Sequence, residues 1–456
     1  MDAARFAFTR EEMIEAGHEA VEQVARHVDD LRELPALETA SREEMEALIG
    51  ELPRQGRPLG DVLREASEVI LRYRARPAHP RFFAFVPGVG NYAGALADFL
   101  AHGHNVFAGS WMEAAGPSMV EVRLLDWLKD VVGYPAQAGG VFVSGGSMAN
   151  LTALAAARDT MLGEELFPDG VVYLSDQTHS SVARALRLLG FRKDQIRTLV
   201  SDEDCRLALT PLQEMMRQDR AAGRRPFCIV ANAGTTNTGA VDPLDALADL
   251  CREHTLWLHI DGSYGAAAAL CDEGRNALRG MERADSIALD PHKWLFAPFA
   301  CGCVLARDAM HLARTFHMRP EYLEDMGGSN REPNFWDYGP ELTRPFRALK
   351  LWVALQTVGL DACRAAMENG FHLARVAGEH VSGMRDWEVI TPAQMGMVSF
   401  RYAPAGWEEA ARDRCNRETG LAFTRSGRGF IISTVVKGRT VLRMCTINPR
   451  STEVDV

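Results

Sequence analysis

The chain has 456 residues, 47% of them hydrophobic and 24% charged, the texture of an ordinary folded protein of two or three domains. A formal net charge of −11 argues against nucleic-acid or anionic-membrane partners, whose phosphates are bound by Lys and Arg. No apolar run approaches the ~20 residues of a membrane span, and Met-Asp-Ala-Ala-Arg-Phe at the start lacks the pattern of a secretory signal.

Residues 1–92 read as helical. Thr9-Arg-Glu-Glu12 and Ser41-Arg-Glu-Glu44 have the form of capping boxes, in which hydroxyl and glutamate each satisfy the other's backbone N–H. Between them Val21, Val24, Val28 and Leu31 recur on one helical face, and Pro35 closes the segment. Such a stripe must dock on the body of the chain or on a partner.

From 93 to 350 short apolar runs alternate with helices. Gly140–Val143 leads into Gly145, Gly146 and a helix over Met148–Arg158. Val171–Leu174 leads into His179 and a helix over Ser181–Leu189. Phe227–Ala231, Leu256–Ile260 and Ser286–Leu289 lead into Thr236, Asp261 and Lys293 respectively. This alternation predicts an α/β fold with a largely parallel sheet covered on both faces. Cys301-Gly-Cys303, the closest approach to a paired motif among nine cysteines, reads as two small core residues of a reduced, cytoplasmic protein. His102-Gly-His104 has no third ligand nearby, so no metal is expected. Residues 316–340 are weakly patterned and predict a long functional loop. Residues 351–456 form a smaller α+β unit with strands over Gly396–Tyr402, Phe430–Val436 and Thr440–Ile447, the last two joined by a turn at Lys437-Gly438.

In an open parallel sheet the strand ends share one edge, where ligands bind. Singly, each polar residue there has a bland reading: the Ser144–Ser147 turn is one of many glycine-rich turns, Asp261 suits a salt bridge or cap, His179 a first-turn histidine, and Lys293 a surface cation. Together they match pyridoxal 5'-phosphate, which needs an amine for its aldehyde, a carboxylate for its ring nitrogen, a phosphate cup and a flat group against its ring.

These segments resemble the group II pyridoxal-phosphate-dependent amino-acid decarboxylases, most closely the aromatic-L-amino-acid decarboxylases, over nearly the whole chain. The resemblance is carried by His79-Pro-Arg-Phe-Phe-Ala-Phe85, Val143-Ser-Gly-Gly-Ser-Met-Ala-Asn150, Thr178-His-Ser-Ser181, Gly234-Thr-Thr236, His259-Ile-Asp-Gly-Ser-Tyr264, Asp290-Pro-His-Lys-Trp294 and Arg344-Pro-Phe-Arg-Ala-Leu-Lys350. It implies the PLP-dependent transferase fold (fold type I) and loss of CO2 from an amino acid. It implies that Lys293 carries the cofactor, Asp261 pairs with its ring nitrogen and His179 stacks on it. Gly145, Gly146, Ser147, Thr236 and His292 are expected near its phosphate, with Ser263 and Asp290 lining it. Thr343 is expected to reach the phosphate of the other subunit. Tyr322 is expected to return the proton to the substrate.

For the substrate side chain the resemblance points to Phe85, Pro87, Gly88, Phe107 and Trp111, an aromatic-rich wall suited to an aromatic amino acid. Val86, Gly88 and Gly109 are smaller than in the animal enzymes and are expected to widen that pocket. The resemblance also implies a homodimer with sites at the interface, residues 1–92 serving dimerisation, and a chain that stops where relatives continue into a final helix. Oxidative decarboxylation to an aldehyde, decarboxylation of an acidic amino acid, transamination and simple cofactor binding are the alternatives.

Overall fold

Both capping boxes form. Thr9 Oγ1 accepts from Glu12 N at 3.2 Å while Thr9 N donates to the Glu12 carboxylate at 2.8 Å, opening the helix Arg10–Asp29. Ser41 and Glu44 repeat the exchange at 3.2 and 2.7 Å ahead of Arg42–Leu48. The structure, a computed structural model, describes residues 7–318 and 331–456. Helix Arg10–Asp29 contains no buried residue, and Val21 and Val24 of its stripe are exposed; only Leu31, past its end, is buried. The first half of the stripe is therefore left uncovered, and only its end docks on the described body of this chain.

Seven strands form the main sheet: β1 (Gly139–Val143), β2 (Gly170–Ser175), β3 (Ile196–Leu199), β4 (Arg225–Asn232), β5 (Trp257–Asp261), β6 (Ser286–Leu289) and β7 (Gly302–Ala306), in the order β1-β7-β6-β5-β4-β2-β3. The pairs β2–β3, β2–β4, β4–β5 and β5–β6 are parallel. Strand β7 runs antiparallel between β1 and β6, which leaves β1 and β6 pointing the same way. All the strand ends singled out in the sequence therefore share one edge.

Alternate residues of β4 enter different cores, as a period of two requires. Ile229 and Ala231 pack in the main cluster with Val141, Ile260, Ile287 and Val304. Cys228 and Val230 pack on the other face with Leu154, Val182 and Leu186 of the covering helices. Cys301 and Cys303 are fully buried at the start of β7, as small core residues.

The C-terminal sheet is antiparallel, with β8 (Trp387–Gln394), β9 (Met397–Tyr402), β10 (Ile432–Val436) and β11 (Arg439–Cys445) in the order β10-β11-β9-β8. Lys437 and Gly438 both take positive φ, 50° and 77°, the backbone a two-residue hairpin needs. Trp294, fully buried, stacks 5.1 Å from Tyr264 and contacts Phe371 at 5.2 Å. It pins the segment after β6 to the helix Leu360–Ser382 and so fixes the position of Lys293 beside it.

Candidate active site

The shared strand edge encloses a cavity of about 380 Å³. Its walls include Gly145, Gly146, Ser147, His179, Thr236, Asp261, Ser263, Asp290, His292 and Lys293, brought together from distant parts of the sequence.

Strand β1 empties into Ser144-Gly145 and the helix Gly146–Met161, whose first turn carries no side-chain cap. Gly146 and Ser147 line the cavity at this uncapped start, with the helix dipole behind them, a disposition suited to an anion. A Cβ on Gly146 would lie 2.4 Å from Ser263 Oγ and 2.9 Å from Asp290 Oδ2, so only glycine lets this turn touch the opposite wall.

Asp261 ends β5 and is 8% exposed. Its Oδ1 accepts from Ser263 Oγ at 2.7 Å and its Oδ2 from Asn150 Nδ2 at 3.1 Å. Among the described residues it makes no ion pair, although a buried carboxylate is costly without a cation. Asp290 is 2% exposed; its Oδ2 lies 3.2 Å from Lys293 Nζ and 3.6 Å from His292 Nε2, while its buried Oδ1 has no hydrogen-bond partner among the described residues. Burial holds the His292 imidazole below its ordinary pKa, against the pull of Asp290 and with the push of Lys293. His179 caps the helix Ser180–Leu188, its Nδ1 accepting from Ser181 N at 3.2 Å.

A primary amine, an uncapped helix start behind a glycine turn, and an unpaired buried carboxylate on one cavity are the complement of pyridoxal 5'-phosphate, with its aldehyde, phosphate and cationic ring nitrogen. The residues present fit that group.

The residues expected at the substrate side chain sit outside this wall. Phe85 is half-exposed with φ 53°, edge-on to Phe430 at 5.8 Å. Pro87 and Gly88 are buried, Phe107 packs 6.0 Å from Trp336, and Trp111 N–H donates to Asn334. At two of the three small positions neighbouring rings lie against the glycine. Phe299 Cζ lies 2.2 Å from where a Gly88 Cβ would be, and Phe107 and Trp336 crowd the same place at Gly109 at 2.6 and 2.9 Å. The chain's own rings take up the space the missing side chains release. Thr343 is exposed and absent from the cavity wall. Tyr322 lies outside the described residues.

Sequence reasoning missed Asn150, Ser181, Asn232 and Tyr264 at the site, and Arg443 next to it. Arg443 is 1% exposed, has no carboxylate partner among the described residues and donates to the Phe85 carbonyl, holding that residue's left-handed backbone. Burial lowers its pKa from the ordinary value. Its signal in the sequence was an arginine inside the apolar strand Val441-Leu-Arg-Met444.

Comparison with known proteins shows the family and the fold. The pyridoxal-dependent decarboxylase conserved domain matches residues 42–403. An aromatic-L-amino-acid decarboxylase of Bacillus atrophaeus is 44% identical over 97% of this chain and 92% of its own length. A phenylacetaldehyde synthase of Arabidopsis thaliana is 32% identical over 97% and 93%. The crystal structure of Oryza sativa TDC with PLP and tryptamine superposes with a TM-score of 0.93 at 30% identity, covering 98% of this chain and 96% of that one.

Proposed function

Because the chain belongs to the pyridoxal-dependent decarboxylase family and is a carboxy-lyase working with pyridoxal phosphate, we propose that it converts an aromatic L-amino acid to the amine and CO2. The observation that carries the site assignment is the buried, unpaired carboxylate of Asp261 facing the same cavity as the amine of Lys293. Relatives named as aromatic-L-amino-acid, tryptophan and tyrosine decarboxylases support the substrate class.

In this reading Lys293 would bind the cofactor aldehyde, and Asp261 would serve the ring nitrogen, where its negative charge would favour the protonated form. His179 would hold the ring. The leading N–H groups of Gly146 and Ser147, with Gly145, Thr236 and His292, would hold the phosphate, and Ser263 and Asp290 would complete the wall. The bound cofactor supplies an electron-withdrawing ring for the electron pair left at Cα when the carboxylate departs. Tyr322 then returns a proton to Cα while the surrounding chain excludes water. Phe85, Pro87, Gly88, Phe107 and Trp111 belong to the region that selects the substrate side chain.

The same reading includes a homodimer in the cytoplasm. An N-terminal helix with no buried residue supports dimerisation through residues 1–92, and an exposed Thr343 is free to reach a neighbouring subunit. The free state of all nine cysteines supports a reducing compartment.

A panel of the common amino acids, with amine and CO2 detected by mass, tests the substrate class; turnover confined to acidic amino acids overturns it. Lys293→Ala is expected to lower turnover by about a thousandfold or more and to remove the borohydride-fixed cofactor from its peptide. Normal turnover in that variant removes Lys293 from its role.

A further inference from the structure

Behind Asp261 lies a buried hydrogen-bonded chain whose direction is fixed from both ends. An ionised carboxylate only accepts, so Asn150 turns Nδ2 toward Asp261 Oδ2 at 3.1 Å. The second Nδ2 hydrogen goes to Ser181 Oγ at 3.0 Å, which leaves Oδ1 facing His259 Nε2 at 2.9 Å. His259 therefore carries a proton on Nε2. The ring is fully buried, and burial lowers its pKa to about 4 despite the nearby Asp261 charge, so it is neutral and Nδ1 accepts. Ser286 Oγ, 2.9 Å from that Nδ1, donates to it and accepts from the Trp257 indole N–H at 2.8 Å. An indole N–H only donates, and the chain begins there.

The other branch ends on the opposite side of the site. Ser181 Oγ, having accepted from Asn150, lies 2.8 Å from His179 Nδ1, and the Ser181 backbone N–H points at the same atom from 3.2 Å. A backbone N–H cannot accept. His179 Nδ1 is thus unprotonated and the ring's single proton sits on Nε2, which has no partner among the described residues.

We propose that Asn150 is a positioning residue whose amide fixes together the orientation of the Asp261 carboxylate and the Nε2–H form of His179. This rests on the assignment of both residues to the cofactor given above. Asn150, Ser181, His259, Ser286 and Trp257 are each at most 4% exposed, so water does not substitute for any link. No other uncharged side chain of this size presents two donors and an acceptor to three neighbours at once. Alanine would orphan the His259 N–H and one Asp261 oxygen. Aspartate would set a second anion against Asp261.

The test uses holoenzyme with ¹⁵N-labelled histidine, the two resonances assigned with His179→Gln and His259→Gln. At pH 8 both rings are expected to carry their proton on Nε2 and none on Nδ1. A proton on Nδ1 of either ring overturns the proposal without any Asn150 variant needing to fold. In Asn150→Asp, the cofactor dissociation constant relative to wild type is expected to rise at least about tenfold at pH 8 and to recover as pH falls toward 6. The introduced carboxyl, once protonated, restores the donor to Asp261 and the acceptor for His259, and leaves only the link to Ser181 unmade. A ratio that does not change with pH reduces Asn150 to packing and overturns the proposal. Borohydride fixation on Lys293 in both proteins separates these outcomes from a failure of the site assignment itself.

Discussion

Lys293 Nζ lies 3.2 Å from Oδ2 of Asp290, and the opposite oxygen of that buried carboxylate has no hydrogen-bond partner among the described residues. The Lys293 amine is thus held by a carboxylate on its own turn, with His292 Nε2 3.6 Å away on the same oxygen. Asp290→Asn removes the charge that holds both side chains in the cavity wall. Cofactor added to the cofactor-free variant is expected to bind covalently about tenfold more slowly than in wild type, read from the growth of its absorbance. An unchanged rate removes Asp290 from the capture of the cofactor.

Gly146→Ala places a methyl carbon 2.4 Å from Ser263 Oγ. The clash falls inside the cavity, not in a core, and alanine favours the helix that begins there. Cofactor affinity is expected to fall at least about tenfold while the thermal transition of the cofactor-free protein moves little. Loss of folding with affinity preserved contradicts the placement of this glycine at the cradle.

Stability near neutrality depends on His259. Its pKa in the folded chain is about 4 against 6.5 for an unburied ring, so the unfolded chain binds the extra proton first as pH falls. By linkage its contribution is present above about pH 6.5 and is lost as pH drops toward 4, amounting to roughly 3 kcal/mol at most. His27, lowered to about 4 first by burial and then by Arg74, acts in the same direction. His259→Gln keeps a donor for Asn150 but cannot charge, so its denaturant midpoint is expected to fall less steeply over that window. Parallel acid limbs for variant and wild type exclude His259 as a source.

Tyr322→Phe is expected to divert product from amine toward aldehyde, ammonia and hydrogen peroxide, because O2 competes for the electron pair when proton return is slow. Oxygen uptake during turnover, followed with an electrode, reports the change. Unchanged amine yield without oxygen uptake removes Tyr322 from the proton path.

The site's skeleton was legible because apolar strands that end at one edge leave their polar residues concentrated there. Gly145, Asp261 and Lys293 each follow such a run. Strand β7 was not placed by pattern alone, since Gly302–Ala306 is another apolar run and its partners β1 and β6 are chosen by distant segments. Strand β8 escaped because it is only partly buried and its register shifts twice. The relay through Asn150, His259 and Ser286 was invisible because each residue alone reads as a satisfied polar group in the core. The approach of Phe299 to Gly88 was invisible too, because the two lie far apart along the chain.

The reversed strand β7 also dictates a schedule. A Cβ on Gly302 would lie 2.4 Å from Gly145 Cα, so the glycine turn after β1 leans on backbone made much later by the ribosome. Until residue 306 has emerged, β1 has no neighbour in the sheet, because β7 alone joins it to β6. A nascent chain stalled before that point carries the Ser144–Ser147 turn but not the backbone it presses against.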